Sequence, residues 1–161
     1  RNAARLLLFV ACWAACDRQG DVITRPDGAA RTPGLRGEYF RDTAWTNLAG
    51  VFVDPSIDFP NNTLYDLGSA RTGSGDRFSV RWTGEIFLRA GERTLQLDVT
   101  GGARLWLDDQ LLIDASSGRQ RLNSGVVDVP RDGWRRLRVD YTREGVDASI
   151  QLEVSNATSF A

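Results

Sequence analysis

The sequence predicts an all-β domain, an antiparallel β-sandwich of about ten short strands. Strict two-residue alternation is the first sign. Leu95, Leu97 and Val99 point one way, and Thr94, Gln96 and Asp98 the other. After Gly101-Gly102, Ala103, Leu105 and Leu107 share one face, and Arg104, Trp106 and Asp108 share the opposite one. A period of two marks a strand with one buried face. Turn-forming residues recur between such runs: Ala90-Gly91, Gly101-Gly102, Asp108-Asp109 and the segment Pro130–Gly133. Short strands at regular spacing, with Gly, Pro and Asp at the turns, indicate a sandwich or barrel. Beyond the leader, no stretch keeps helical periodicity over three turns.

The first segment, residues 1–16, has the shape of a secretory signal. Arg1 and Arg5 give a positive start, and Leu6 to Ala15 is an apolar run. That run is too short to span a bilayer, which needs about 20 residues. Ala14-Ala15-Cys16 resembles a bacterial lipoprotein cleavage box, with Trp13 where that motif prefers Leu. The resemblance implies a diacylglycerol on the Cys16 thiol; Phe9-Val10-Ala11-Cys12 is a second, shorter-cored match. The chain opens on Arg1 rather than Met, which predicts a fragment or a start lying upstream. Residues 17–33 are rich in Arg, Asp and Gly without periodicity, and read as a flexible tether.

The sandwich is expected over 34–155, with a short tail at 156–161. Its predicted strands are Leu35–Phe40, Ser56–Phe59, Phe78–Trp82, Glu85–Leu88, Arg93–Val99, Ala103–Leu107, Gln110–Ile113, Gly125–Val129, Trp134–Tyr141 and Ala148–Val154. Near the end, Leu137, Val139 and Tyr141 oppose Arg136, Arg138 and Asp140. Ala148, Ile150, Leu152 and Val154 oppose Ser149, Gln151 and Glu153. Trp82 is in phase with Phe78 and Val80 and belongs to the core, whereas Trp134 opens a strand and seals the sandwich end.

Composition narrows the chemistry. A chain of 161 residues can hold one domain with a real core. A net charge of −1 argues against a nucleic-acid surface, which needs clustered positive charge. The sequence has no His and no Lys. Ser-His-Asp triads, His-ligated zinc and Schiff-base lysines are therefore excluded. Both cysteines lie in the leader, so the sandwich has neither disulfide nor thiol nucleophile. Glu38 and Glu85 could be imagined as a glycosidase pair, but nothing around either residue suggests a raised pKa. No enzymatic activity is expected.

The segments Gly34–Phe40 (GLRGEYF), Val53–Phe59 (VDPSIDF), Phe78–Leu88 (FSVRWTGEIFL), Ala90–Val99 (AGERTLQLDV), Gly102–Asp114 (GARLWLDDQLLID) and Trp134–Val154 follow one another in a recognisable order. Together they resemble the protective-antigen-type domain, a β-sandwich. The resemblance implies a carbohydrate-binding or adhesive module. It also implies a calcium ion, held in sugar-binding members by two adjacent aspartates before the Gly-Ala-Arg segment and taking two sugar hydroxyls. Here those positions are Thr100 and Gly101, which removes most of the charge that holds the cation. Asp98, on the same strand face as Thr100, is the carboxylate left to substitute. A loop carrying Arg143, Glu144 and Asp147 corresponds to a second loop that helps form the site in sugar-binding relatives.

Other residues admit two roles. If the second sheet face is solvated, Trp106 could stack on a sugar ring with Arg104 as a hydroxyl donor beside it; if it is covered, both are structural. Arg135, Arg136 and Arg138 could meet phosphate or an acidic glycan, or form a solvated face paired with acids. Asp108-Asp109 sits one strand too late for the calcium pair and reads as turn chemistry. Asn61 and Asn156 open glycosylation-type triplets that are chance matches in a bacterial lipoprotein. The expected function is non-catalytic glycan binding or adhesion at the bacterial cell envelope, exported and lipid-anchored. The partner is a glycan or an envelope protein, with membrane contact only through the anchor. The alternative is a structural or protein-interaction sandwich without glycan binding.

Overall fold

The computed structural model describes residues 33–75, 77–118, 121–143, 145 and 147–155, and the backbone of 159–160. Cys16, with the rest of residues 1–32, and Glu144 lie outside the described residues. In chain order the strands are β1 Leu35–Phe40, β2 Leu48–Asp54, β3 Asp58–Phe59, β4 Ser79–Leu88, β5 Gly91–Thr100 and β6 Gly102–Leu107. They continue with β7 Gln110–Ala115, β8 Leu122–Val129, β9 Gly133–Thr142, β10 Ser149–Val154 and β11 Ser159–Phe160. One helix, α1 Thr63–Thr72, stands between β3 and β4. The larger sheet runs β2-β1-β4-β9-β6-β7, with β11 also paired to β4; the smaller runs β3-β10-β5-β8. Every pairing is antiparallel.

The core follows from the alternation. Leu95, Leu97 and Val99 of β5 and Ile150 and Leu152 of β10 face Trp82, Ile86, Leu105, Leu137 and Val139 of the larger sheet, all buried. Each large side chain buried this way contributes roughly 1.5–3 kcal/mol. The longest pairing joins β4 to β9, from Ser79↔Thr142 to Leu88↔Gly133. It places Arg81, Thr83 and Glu85 beside Asp140, Arg138 and Arg136 on the outer face.

Several elements differ from expectation, each for a physical reason. Phe78–Trp82 and Glu85–Leu88 are one strand, because Thr83-Gly84 continues the ladder opposite Arg138 and Leu137 instead of turning. Strand β2 was not anticipated because its burial is inverted: Val51 and Val53 face solvent while Asp54, on the opposite face, is buried. The helix α1 has Leu64, Gly68 and Thr72 on its buried face, and only Leu64 is large and apolar. No apolar period is therefore visible in its sequence. Trp134 packs edge-on against Phe87 (centroids 5.6 Å apart) on the outer face of β4 and β9, rather than sealing the sandwich end.

Asp54 ties these parts together. Its Oδ2 accepts hydrogen bonds from the Tyr39 hydroxyl and Trp82 Nε1, both at 2.8 Å, and its Oδ1 accepts from Arg71 Nη1 of α1 at 2.7 Å. The carboxylate is 3% exposed. Burial, reinforced by the Asp54 charge, raises the Tyr39 hydroxyl well above the usual tyrosine range, so it stays a donor. The Arg71 guanidinium also lies over the Phe52 ring, 4.3 Å from its centroid. The neighbouring backbone must approach closely: a Cβ on Gly37 would sit 2.7 Å from Asp54 Oδ2.

Asp54→Ala leaves the Tyr39 hydroxyl, the Trp82 indole and the Arg71 guanidinium without their acceptor. The expected loss is about 3–5 kcal/mol, the range for breaking a buried pair from one side. Urea melts measure it, with exposed Asp58→Ala as the control; a loss below about 1 kcal/mol would place the anchor elsewhere.

Candidate functional site

The outer face of the larger sheet carries an ordered array of charge. One cross-strand row reads Glu38, Arg81, Asp140, Arg104 and Asp114, on β1, β4, β9, β6 and β7. The next reads Arg36, Thr83, Arg138, Trp106 and Leu111. Alternation puts these residues outside because their strand neighbours Trp82, Val139 and Leu105 fill the core.

Asp140 is the hub of the array. It accepts Arg81 Nε at 2.8 Å and Nη2 at 2.9 Å, and Arg138 Nε at 2.9 Å and Nη2 at 2.5 Å. Two guanidinium forks thus share one carboxylate, and the trio keeps one net positive charge. Burial alone would push the Asp140 carboxyl up. The bonds from Arg138 and Arg81 outweigh it and hold the group below the usual carboxylate range.

Each guanidinium also meets an indole. Arg138 lies over Trp106, 4.5 Å from the ring centroid, and Arg81 lies over Trp45 at 4.8 Å. The contacts run continuously from Trp45 through Arg81, Asp140 and Arg138 to Trp106. Trp45 is presented by a loop after β1. Asp42 Oδ1 accepts the backbone N–H groups of Ala44 and Thr46, and its Oδ2 accepts the Thr46 hydroxyl at 2.8 Å. That hydroxyl bond and the backbone bonds hold the Asp42 carboxyl below its usual range. Trp45 itself has φ of 64°, rare for so bulky a residue, and its ring packs edge-on against Phe40.

Two hollows flank this array. The larger, about 330 Å³, is lined by Thr83, Trp106, Asp109, Arg136 and Arg138, with Gly84 and Leu137 at its floor. The smaller, about 80 Å³, is lined by Trp45, Arg104, Ser116, Asp140 and Thr142 among others. In the first, Arg136 Nη2 meets Asp109 Oδ2 at 2.6 Å, and both side chains are well exposed. Asp108 and Asp109 have φ of 48° and 67° and form the tight β6–β7 turn. The Asp108 Oδ1 accepts the Arg136 backbone N–H at 2.9 Å, fixing that turn to β9.

The sequence candidates do not gather in one place. Trp106 and Arg104 share the outer face, but Arg104 turns to Asp114 Oδ2 and Ser116 Oγ, both at 3.2 Å, in the smaller hollow. Trp106 is half-buried and lines the larger one. Thr100, Gly101 and Asp147 lie at one end of the sandwich, where Thr100 pairs with Ser149 and Gly102 with Thr142. The Thr100 carbonyl accepts the Tyr141 hydroxyl at 2.7 Å. Gly101 has φ of 115°, and a Cβ there would stand 2.7 Å from the Thr142 carbonyl oxygen. The backbone thus demands glycine where the resemblance would place an aspartate. Asp98 lies on the smaller sheet, with its Oδ1 2.6 Å from Arg121 Nε.

Among the described residues, no three Asp, Glu, Cys or His side chains converge. The Thr100-Gly101 step does not fit a calcium ion, since it offers no carboxylate and the one nearby in sequence is paired to arginine. Trp45, Arg81 and Asp140 were not anticipated as a group. The signal available was the outward phase of Arg81 and Asp140 on two central strands.

With this geometry in view, the chain matches the PA14 domain family model over residues 31–158. It is 30% identical over 122 residues to the anti-sigma-I factor RsgI3 of Acetivibrio thermocellus, covering 74% of this chain and 18% of that protein. Among solved structures, an anti-sigma factor domain-containing protein superposes with a TM-score of 0.69 at 28% identity, over 80% of this chain and 44% of the other. The PA14 sugar-binding domain from an RTX adhesin gives a TM-score of 0.61 at 17% identity, over 81% and 94%. The chain thus spans less than half of both anti-sigma relatives.

Two outcomes follow from this site. Asp140→Asn should destabilise the fold by about 1–3 kcal/mol at pH 7, the range for charge-assisted bonds. A depressed carboxyl contributes stability that is full above its unfolded value near 3.8 and is lost as pH falls through the folded value. The gap between wild type and variant should therefore close on acidification, in melts from pH 7 to pH 2. Separately, millimolar calcium should leave the melting temperature where chelator leaves it.

Proposed function

The chain belongs to the PA14 domain family, and on that footing we propose that it is a non-catalytic carbohydrate-binding module serving adhesion at the bacterial cell envelope. One observation carries this: a half-buried Trp106 lines a hollow of about 330 Å³ together with Thr83, Asp109, Arg136 and Arg138. A sugar ring has an apolar C–H face and a rim of hydroxyls. An indole takes the first, and carboxylate, hydroxyl and guanidinium groups take the second. The hollow is at the small end of the range of ligand clefts, about 300–1,000 Å³. The smaller hollow, with Trp45 and Arg104, lies beyond Asp140 and offers a second position of the same chemistry.

The sugar-binding PA14 domain from the adhesin shares this fold, which supports the assignment without locating a site. Thr100, Gly101 and Asp147 have no part in this mode, and calcium is not required. The absence of catalysis is supported by the two outer-face glutamates. Glu38 faces Arg81, and Glu85 lies four residues further along β4, about 13 Å at ~3.3 Å per residue. Glu38 is also 2.8 Å from Arg36.

Envelope attachment through a lipid on Cys16 rests on the leader sequence. Intact mass of membrane-extracted protein should show the diacylglycerol, and an unmodified soluble species would remove the anchor. A protein-binding role has its own support in Leu48, Val51 and Val53, exposed along the edge strand β2. A partner released from a pulldown by free sugar separates the two.

On a glycan array, binding should appear with and without calcium. Trp106→Ala should weaken it about tenfold or more, as truncation of a stacking anchor does. Gln96→Ala, on the smaller sheet, should leave it unchanged. Silence of the wild type under both conditions would rule out a lectin role.

A further inference from the structure

The geometry points to a carboxylate-bearing saccharide, of the uronic-acid class, as the preferred ligand of the Trp106 hollow, with Arg136 taking the carboxylate. This rests on the carbohydrate-binding role above and adds the chemical class of the sugar. The chain as a whole carries a net charge of −1, so no general field draws anions to it. The preference has to be local, and the hollow supplies it.

Arg136 and Arg138 both line the hollow with Asp109, and Glu85 stands opposite Arg136 in the β4–β9 ladder. Arg138 is fixed: Nε and Nη2 bond Asp140 and its Cζ lies 4.5 Å from the Trp106 ring centroid. Because Asp140 is shared with Arg81, its single charge does not neutralise both cations. A residual positive charge therefore stands beside the indole on which the sugar stacks.

Arg136 differs. Its ion pair with Asp109 is exposed on both sides, 67% and 75%. Such a pair holds weakly in water, because solvent screens it and two long side chains must be ordered. The guanidinium can exchange that partner for a ligand carboxylate at little cost. The planar fork takes a carboxylate by two parallel N–H···O bonds. Trp106 then takes the C–H face of the ring, and Thr83 stands within the same hollow to meet a hydroxyl.

The test is calorimetric titration of the full chain with three matched probes: a hexuronate oligosaccharide, its carboxyl-reduced form and a sulfated oligosaccharide. The uronate should bind about tenfold tighter than the reduced form, the scale of one charge-assisted bidentate contact. Raising salt should narrow the gap. Arg136→Gln should erase the preference, bringing uronate and reduced form to equal affinity, and Arg136→Lys should restore part of it. Equal affinity for uronate and reduced form would overturn the inference and leave carbohydrate binding standing. A preference for sulfate over uronate would also overturn it, as would a uronate preference surviving in Arg136→Gln. No binding of any probe would overturn both the inference and the carbohydrate-binding role. Because Arg136 is exposed, the variants should melt with the wild type, which is checked first.

Discussion

Asp54 brings a carboxylate into the core at the end of β2, where it accepts from the Tyr39 hydroxyl, the Trp82 indole and the Arg71 guanidinium. A buried charge survives only when it is paired and hydrogen-bonded, and here the partners come from β1, β4 and α1. The edge strand, its neighbour, a central strand and the helix are therefore held by one group. The consequence reaches the outer face. Once Trp82 is held inward, alternation along β4 sends Arg81 and Thr83 outward. The same rule on β9, where Val139 is buried, sends Arg138 and Asp140 outward beside them. The charged array and the hollow at Trp106 are set by what the core accepts.

That outer face departs from an ordinary solvated sheet. Scattered surface ion pairs contribute little, because water screens them and long side chains must be ordered. Asp140 escapes this by being largely buried under two guanidinium forks, each resting on an indole. The arrangement is rigid at its centre and exchangeable at its margin, where Arg136 and Asp109 meet in solvent. A preorganised indole beside a loosely paired cation suits reversible binding of a polar ring. The sandwich end is different. Gly101 is imposed by backbone conformation and by the close approach of Thr142, so the calcium chemistry implied by the family resemblance has no foothold in that turn.

Legibility in the sequence followed burial. Strands β5, β6, β9 and β10 were plain because large apolar residues recur at every second position and fill the core. Strand β2 was hidden because its valines face solvent and its buried residue is an acid, a pattern made intelligible only by donors from three other elements. The helix was hidden because glycine and threonine occupy most of its buried face. At the site, Trp106 and Arg104 on β6, and Arg136 and Arg138 on β9, could each be placed on one face by counting alternate residues. Trp45 could not, since it reaches the array from a loop with a left-handed backbone held by Asp42. Nor could the sharing of Asp140, which needs the β4–β9 register as well as the phase.

The central claim is that ligand binds on the outer face of the larger sheet and not at the sandwich end. Two-dimensional ¹⁵N NMR of the domain, titrated with the strongest oligosaccharide from a glycan screen, tests it most directly. The account predicts shifts at the Trp106 indole N–H and at the Thr83, Asp109 and Arg136 amides, with Gly101 and Asp147 unmoved. Shifts clustered at Thr100, Gly101 and Asp147, with a silent Trp106 indole, would contradict it.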